Sequence, residues 1–165
     1  MLDISRISSG KLDMNLKPID LSELVKEIFH RFAAQLASAG IEVVFDLAPD
    51  VVGRWDGDRL EQVFTNLIIN GMRYAPARPF HVTLQTTGRE ALFRMRDHGP
   101  GIPPERQDRI FNRFERFVSA SEVSGLGLGL YISKQIVEAH QGSIRVESLP
   151  GAGAEFVVTL PMQQN

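Results

Sequence analysis

Three stretches of this chain repeat their apolar residues every three or four positions, the spacing that places them on one face of a helix. These stretches are residues 20–40, 58–75 and 127–140. Asp20 is a suitable N-cap for the first helix, and Gly40 is a suitable end for it. The second helix ends at Ala75, directly before Pro76. The pattern therefore predicts three amphipathic helices, each with one face to bury.

Alternation of apolar and polar residues predicts five strands. They cover residues 41–47, 81–86, 91–96, 143–148 and 154–160. Gly88 predicts a tight turn between the second and third strands, and residues 150–153 predict another between the last two. Residues 1–18 hold too few apolar positions for a helix of their own. Helices set among hairpin-forming strands predict an α+β sandwich, with one sheet and helices on one of its faces.

Composition narrows the function classes. The 165 residues carry a formal charge of −2 and include no cysteine. Disulfide frameworks, thiolate zinc sites and cysteine nucleophiles are therefore excluded, and the near-neutral charge argues against a nucleic-acid partner. No uncharged stretch reaches the ~18 apolar residues of a membrane span, and the N-terminus lacks the apolar core of a signal peptide. We expect one soluble domain located in the cytoplasm.

The second predicted helix carries two amides in an apolar setting. Asn66 and Asn70 are four residues apart, so their side chains share one face of the helix. Asparagine is unfavourable inside a helix unless its amide gains partners. Its carbonyl oxygen suits a hard cation such as Mg²⁺ that is held together with phosphates and waters. The alternative is that both amides face solvent or cap a neighbouring loop.

A loop rich in glycine and proline follows the third predicted strand. Asp97 ends that strand, and Gly99 and Gly101 follow it closely. A carboxylate at this position can accept a hydrogen bond from an exocyclic amine such as the adenine N6 group, and the glycines let a ligand approach the backbone. An ordinary Asp-x-Gly turn is the alternative.

Alternate glycines open the third predicted helix, at Gly125, Gly127 and Gly129. Free N–H groups and the helix dipole make such a start a phosphate cradle. No Lys-Ser or Lys-Thr pair follows, and Leu130 stands where a dinucleotide fingerprint has its third glycine, so neither of those motifs fits. A flexible hinge with packing glycines is the alternative.

The order of these elements resembles the catalytic and ATP-binding (HATPase_c) domain of two-component sensor histidine kinases. The wider GHKL family includes type II topoisomerases, heat-shock chaperones and mismatch-repair ATPases. The matching motifs are an N box at 66–75, a G1 box at 97–102, an F box at 110–116 and a G2 box at 125–130. The resemblance implies a Bergerat fold: a two-layer α/β sandwich with a mixed, mostly antiparallel sheet and three long helices on one face. Residues 1–18 are similar to the tail of a dimerisation and phosphoacceptor helix with its linker, and residues 19–165 to the catalytic domain.

The resemblance also implies roles for the residues of these motifs. Asn70 would coordinate Mg²⁺, Asn66 would lie near the metal and the phosphates, and Arg116, in a mobile lid, would contact the γ-phosphate. Asn66 and Arg116 are thus the candidate catalytic residues, although Arg116 could equally be a solvated lid charge. The further nucleotide contacts would be Arg73, Tyr74, Asp97, Gly99, Gly101, Ile102, Gly125, Leu126, Gly127, Leu128, Gly129 and Leu130. Hydrolysing relatives have Glu where this chain has Asn66, and an amide cannot act as a general base. This difference predicts slow ATP hydrolysis and favours transfer to a protein histidine.

The implied function is to bind Mg-ATP and to donate its γ-phosphate to a histidine outside this chain. The four histidines present lack the context of a phosphoacceptor; they are His30, His81, His98 and His140. The implied partners are ATP and ADP, the phosphoacceptor helix domain of the same kinase in cis or in trans, and a response-regulator receiver domain. The fragment is expected to be monomeric and the parent kinase homodimeric.

Two other functions stay open, a nucleotide-binding regulatory or docking module without phosphotransfer and a GHKL-type ATPase; a serine kinase of the anti-sigma type ranks third. Three positions depart from the family pattern. His98 stands where Asn is common, Leu126 where Thr is common, and Gly71 where Ala is usual. Gly71 is expected to weaken the helix slightly while leaving room.

Overall fold

The computed structural model describes residues 13–75, 77–107, 109–112, 129–148 and 151–163, apart from the side chain of Tyr74. Its strands are β1 (Lys17–Asp20), β2 (Val43–Leu47), β3 (Val52–Trp55), β4 (Phe80–Thr87), β5 (Glu90–Arg96), β6 (Ser143–Ser148) and β7 (Ala154–Pro161). Its helices are α1 (Leu21–Arg31), α2 (Ala33–Ser38), α3 (Gly57–Tyr74), α4 (Pro104–Gln107) and α5 (Gly129–Ala139). Within these ranges, no helix combines the length and the apolar character needed to cross a membrane.

Five strands form the main sheet in the order β2-β4-β5-β7-β6. Strand β2 runs parallel to β4, and every other neighbouring pair is antiparallel. Along β5 the side chains of Ala91, Phe93 and Met95 are buried, while the residues between them are more open to solvent. This alternation gives the sheet one face that packs on the helices. The predicted mixed, mostly antiparallel sheet is confirmed.

Helix α3 lies at the centre of the core. Its fully buried residues recur at helical spacing: Leu60, Val63, Phe64, Leu67 and Ile68. Asp56 caps its first turn, because its Oδ1 accepts a hydrogen bond from the Arg59 N–H at 3.2 Å. Helix α5 packs beside α3, and its inward residues Ile132, Ile136 and Val137 are fully buried. These two helices carry the predicted amides Asn66 and Asn70 and the last of the predicted glycines, Gly129.

The first predicted helix is divided in two. Phe32 has φ −96° and ψ 6°, and its N–H reaches the Phe29 carbonyl at 3.1 Å, so α1 ends there and α2 begins one residue later. The prediction of one helix over 20–40 was wrong at this point. Leu36 on α2 is as buried as the apolar residues of α1, and its helical spacing from them conceals the break.

A second, two-stranded sheet lies outside the sequence prediction. Strands β1 and β3 pair antiparallel from Lys17 opposite Trp55 to Asp20 opposite Val52. Four residues are too few for alternation to indicate a strand. The Trp55 ring is fully buried, and its Nε1–H donates to the Pro161 carbonyl at 2.8 Å, which ties this sheet to the end of β7. The predicted boundary between residues 18 and 19 falls within β1.

Candidate active site

Helix α3 places Asn66 beside the beginning of α5. The Asn66 Nδ2 group donates to the Gly129 carbonyl at 3.1 Å and to the Ser133 hydroxyl at 3.2 Å. Because a carbonyl only accepts hydrogen bonds, the NH₂ half of the amide must face α5. The structure thus brings Asn66 of the N box next to Gly129 of the G2 box.

One turn later, Asn70 lines a small cleft between α3, the loop after β5 and β7. Asp97, Gly101, Ile102 and Phe156 line the same cleft. The Asn70 side chain is half-buried, and its amide makes no hydrogen bond to another described residue. An amide oxygen is therefore available at the position where a metal ion is predicted.

Backbone N–H groups hold one of the two carboxylate oxygens of Asp97. Its Oδ1 accepts hydrogen bonds from the Gly99 N–H at 3.0 Å and from the Ala154 N–H at 3.1 Å, and the side chain is 7% exposed. In the described part of the chain, Oδ2 has no hydrogen-bond partner. A carboxylate fixed in this way presents a second acceptor to a ligand that enters the cleft.

The loop after Asp97 is fastened by residues that sequence reasoning missed. The Ile102 N–H donates to Ser148 Oγ at 2.7 Å, and that hydroxyl donates to the Gly153 carbonyl at 2.9 Å. Gln107 Nε2 donates to the carbonyls of Ile102 and Ser148, each at 2.9 Å. Ser148 is distant from this loop along the chain, whereas Gln107 is only five residues from Ile102. Neither residue forms a motif with Asp97, so no sequence pattern indicated them.

Gly153 lies so close to the backbone of Asp97 that no larger residue fits at this position. Its φ is +84°, and a Cβ atom would overlap the Asp97 carbonyl oxygen. The sequence indicated a turn at this glycine. The close approach to Asp97 became visible only when β5 and β7 were paired.

The structure describes some of the other predicted site residues but not all of them. Gly101 has φ +81°, Gly99 and Ile102 are buried, Gly129 begins α5 and Leu130 packs against the core. Arg73 is exposed in the last turn of α3, and Tyr74 ends that helix. Arg116, Gly125, Leu126, Gly127 and Leu128 lie outside the described residues. The predicted lid over 102–124 begins with packed residues, since Ile102, Ile110 and Phe111 are buried and the Phe111 ring meets Phe156 edge-on at 6.2 Å.

A buried histidine joins the other ends of α3 and α5. His140 Nε2 accepts a hydrogen bond from the Asp56 N–H at 3.0 Å, and its Nδ1–H donates to the Ile136 carbonyl at 2.9 Å. Both roles together require the neutral imidazole. Burial lowers the pKa of His140, while the Ile136 carbonyl and the charge of Asp56 act in the opposite direction. His140 is thus a structural clamp on the helix pair that carries the site.

The side chains around the cleft decide which metal ion could bind there. The described residues contain no group of three or more histidine, cysteine or acidic side chains that could hold a metal on its own. Asn70 supplies one amide oxygen in the cleft. This donor set suits Mg²⁺, which keeps several waters and is bound mainly through substrate phosphates.

Comparisons with known proteins agree with this geometry. Residues 55–164 match the family described as histidine kinase-, DNA gyrase B-, and HSP90-like ATPase. Sensor protein SrrB of Staphylococcus aureus is 33% identical over 164 residues, which cover 98% of this chain and 28% of that protein. The chain therefore spans only about 28% of the length of the curated relatives that it matches.

Solved structures give the same result. The catalytic domain of histidine kinase ThkA aligns with a TM-score of 0.82 and 26% identity, over 91% of this chain and 97% of that domain. Full-length ShkA in complex with AMPPNP aligns with a TM-score of 0.85 and 26% identity, over 98% of this chain and 34% of that one. The predicted histidine-kinase catalytic fold is confirmed.

These matches define the class. The chain belongs to the histidine kinase-, DNA gyrase B-, and HSP90-like ATPase family. Within that family its relatives are sensor histidine kinases, and it corresponds to their catalytic domain.

Proposed function

We propose that this domain binds Mg-ATP in the cleft between α3, the Asp97 loop and the beginning of α5, and that it donates the γ-phosphate to a histidine of the parent kinase. Asp97 is the observation that carries the proposal. Its Oδ1 is held by two backbone N–H groups, and its Oδ2 is available to the N6 amine of adenine. A carboxylate at this position favours adenine over guanine, whose carbonyl at the equivalent ring position is an acceptor.

The phosphate end of the site follows from the same helices. We assign Mg²⁺ coordination to the Asn70 oxygen and phosphate contacts to Arg73 and to the glycine-rich segment before α5. When bound, Mg²⁺ neutralises charge on the transferring phosphoryl group. Asn66 orients groups without accepting a proton, because an amide is not a base near neutral pH. Such a site transfers phosphate by positioning and by charge neutralisation.

We infer that the residues before β1 belong to the tail of a helix that carries the phosphoacceptor histidine and to its linker. The catalytic domain then begins with β1 and not at residue 19, because Lys17 and Pro18 pair with Trp55 and Arg54 of β3. Transfer would occur in cis or in trans within a homodimeric kinase, and then to a response-regulator receiver domain in the cytoplasm. The relatedness to SrrB supports this context.

Calorimetric titration tests nucleotide binding. ADP and a non-hydrolysable ATP analogue, each with and without Mg²⁺, are titrated into the wild-type chain and into Asp97→Asn. Asparagine keeps one oxygen for Gly99 and Ala154 but loses the charged acceptor, so affinity falls by about 10- to 100-fold, the value of a hydrogen bond to a charged group. Asp46→Asn, on the exposed side of β2, is the matched control and leaves affinity unchanged. Equal affinities for wild type and Asp97→Asn would remove the basis of the proposal.

Two further measurements separate the alternatives. A longer protein that includes the upstream histidine helices transfers labelled phosphate from ATP to histidine if the domain is a kinase. A docking module binds ADP with the same dependence on Asp97 and transfers nothing. A GHKL-type ATPase releases inorganic phosphate with turnover, which Asn66 disfavours because it cannot activate water.

A further inference from the structure

Asn66, Gly129 and Ser133 form a closed ring of three hydrogen bonds between α3 and α5. The Asn66 Nδ2 group donates to Gly129 O at 3.1 Å and to Ser133 Oγ at 3.2 Å. The Ser133 hydroxyl in turn donates to Gly129 O at 2.8 Å. Ser133 is fully buried, and its oxygen is therefore used both as donor and as acceptor away from solvent.

This ring sets the orientation of the Asn66 amide. The terminal torsion of asparagine is broad, so an amide with one partner can rotate over a wide range. Two acceptors on the α5 side hold the NH₂ group there, and the carbonyl oxygen on the opposite side of the planar amide must face away from α5. Without the Ser133 hydroxyl, the Gly129 carbonyl is the one partner among the described residues that remains to hold the amide.

A serine bond to the carbonyl four residues earlier is common in helices and needs no functional explanation. Here the same hydroxyl also accepts from a side chain on another helix, and that side chain is a candidate catalytic residue. The donor and acceptor roles reinforce one another because the hydroxyl that accepts from Asn66 also donates to Gly129. The common serine bond to the carbonyl four residues earlier explains the contact with Gly129 but not the contact with Asn66.

We propose that Ser133 is a positioning residue: it fixes the Asn66 amide so that the oxygen, and not the NH₂ group, is presented to the metal and the triphosphate. This inference rests on the proposed function. It assigns to α5 a role beyond the glycine-rich phosphate cradle, since the helix also orients a residue of α3.

A comparison of two affinities isolates this effect. ADP without Mg²⁺ reports the adenine pocket around Asp97, and the ATP analogue with Mg²⁺ reports the metal and triphosphate end. Ser133→Ala lowers the second affinity by between about twofold and tenfold, the value of one hydrogen bond, and leaves the first unchanged. Ser22→Ala is the matched control, because Ser22 is also a buried helical serine and its hydroxyl has no partner in the described part of the chain. It changes neither affinity.

A double-mutant cycle then distinguishes positioning from a direct effect. In the Asn66→Ala background, Ser133→Ala has no further effect on binding of the Mg²⁺-bound analogue, because the side chain that Ser133 orients is gone. Ser133→Thr retains the hydroxyl and restores the wild-type value. Equal losses with and without Asn66, or equal losses for ADP and the analogue, overturn the proposal.

Nuclear magnetic resonance supplies a readout that needs no nucleotide. The side-chain NH₂ protons of Asn66 exchange slowly with water in the wild type and faster in Ser133→Ala, while thermal unfolding shows that the variant is folded. Unchanged exchange contradicts the role of Ser133 even if the chain binds no nucleotide. Absence of ADP binding by the wild type contradicts the proposed function instead, so the two failures are distinguishable.

Discussion

Replacement of Gly71 by alanine sets helix propensity against packing in the same turn of α3. Alanine is favoured over glycine in a helix interior by about 1 kcal/mol, so propensity alone predicts a more stable protein. A Cβ atom at Gly71, however, would lie 2.7 Å from Cζ of Phe80 and 3.3 Å from both Cε atoms. The Phe80 ring is fully buried at the start of β4. Overpacking of this kind costs about 1–3 kcal/mol, which exceeds the gain from propensity.

We therefore expect Gly71→Ala to reduce the free energy of unfolding by about 1 kcal/mol, the difference between the packing and propensity terms. In a Phe80→Leu background the obstructing ring is absent, and the same substitution stabilises by up to about 1 kcal/mol. Urea unfolding followed by the fluorescence of Trp55, the single tryptophan of the chain, measures all four proteins. Gly57→Ala is the control, since its nearest contact is the end of the flexible Ile19 side chain at 3.2 Å. Stabilisation by Gly71→Ala in the wild-type background would refute the packing argument.

Three further substitutions test the clamp and the loop fastening. Because burial lowers the pKa of His140, the unfolded chain binds the proton more readily, and the free energy of unfolding falls as pH drops below about 6.5. His140→Gln weakens this pH dependence. Gly153→Ala abolishes ADP binding because the new Cβ meets the Asp97 carbonyl. Gly88 also has a positive φ, of +60°, but has open space around it. Gly88→Ala therefore lowers the free energy of unfolding by about 1–2 kcal/mol and leaves ADP binding unchanged. Ser148→Ala weakens ADP binding severalfold in calorimetry, because the loop loses a hydrogen bond worth about 1 kcal/mol; unchanged binding would show that the loop is held by its other contacts.

The sequence predicts best those elements whose buried residues recur regularly along one whole face of the helix or strand. Each end of helix α3 and of the β4 and β5 strands was predicted to within one residue, because their apolar residues repeat with one period over their whole lengths. Strands β1 and β3 were missed because four residues carry too little pattern, and they form only when distant segments meet. Phe32 was missed as a break because a turn between two helices leaves the helical spacing nearly intact.

The residues of the candidate site also differ in how far the sequence indicates them. Asn66, Asn70 and Asp97 could be named as candidates from the sequence because their types and spacing form motifs. Ser148 could not, since it contacts Ile102 and Gln107 only after distant segments have folded together. Gln107 lies near Ile102 in the chain but belongs to no motif. Gly71 shows a subtler difference: the sequence suggested that it leaves room, whereas the structure fills that room with Phe80.

Mapping of ADP onto the folded chain by backbone amide resonances tests the central claim most directly. We predict that ADP near its wild-type Kd shifts the resonances of Asn70, Gly99 and Ile102, and that Asp97→Asn needs about 10- to 100-fold more ADP for the same shifts. The apolar groove where Phe29 meets Phe45, between α1 and β2, serves as an internal reference and remains unchanged. Shifts centred on that groove, or shifts around Asp97 that follow the same ADP concentration dependence in Asp97→Asn as in the wild type, would contradict adenine recognition by this carboxylate.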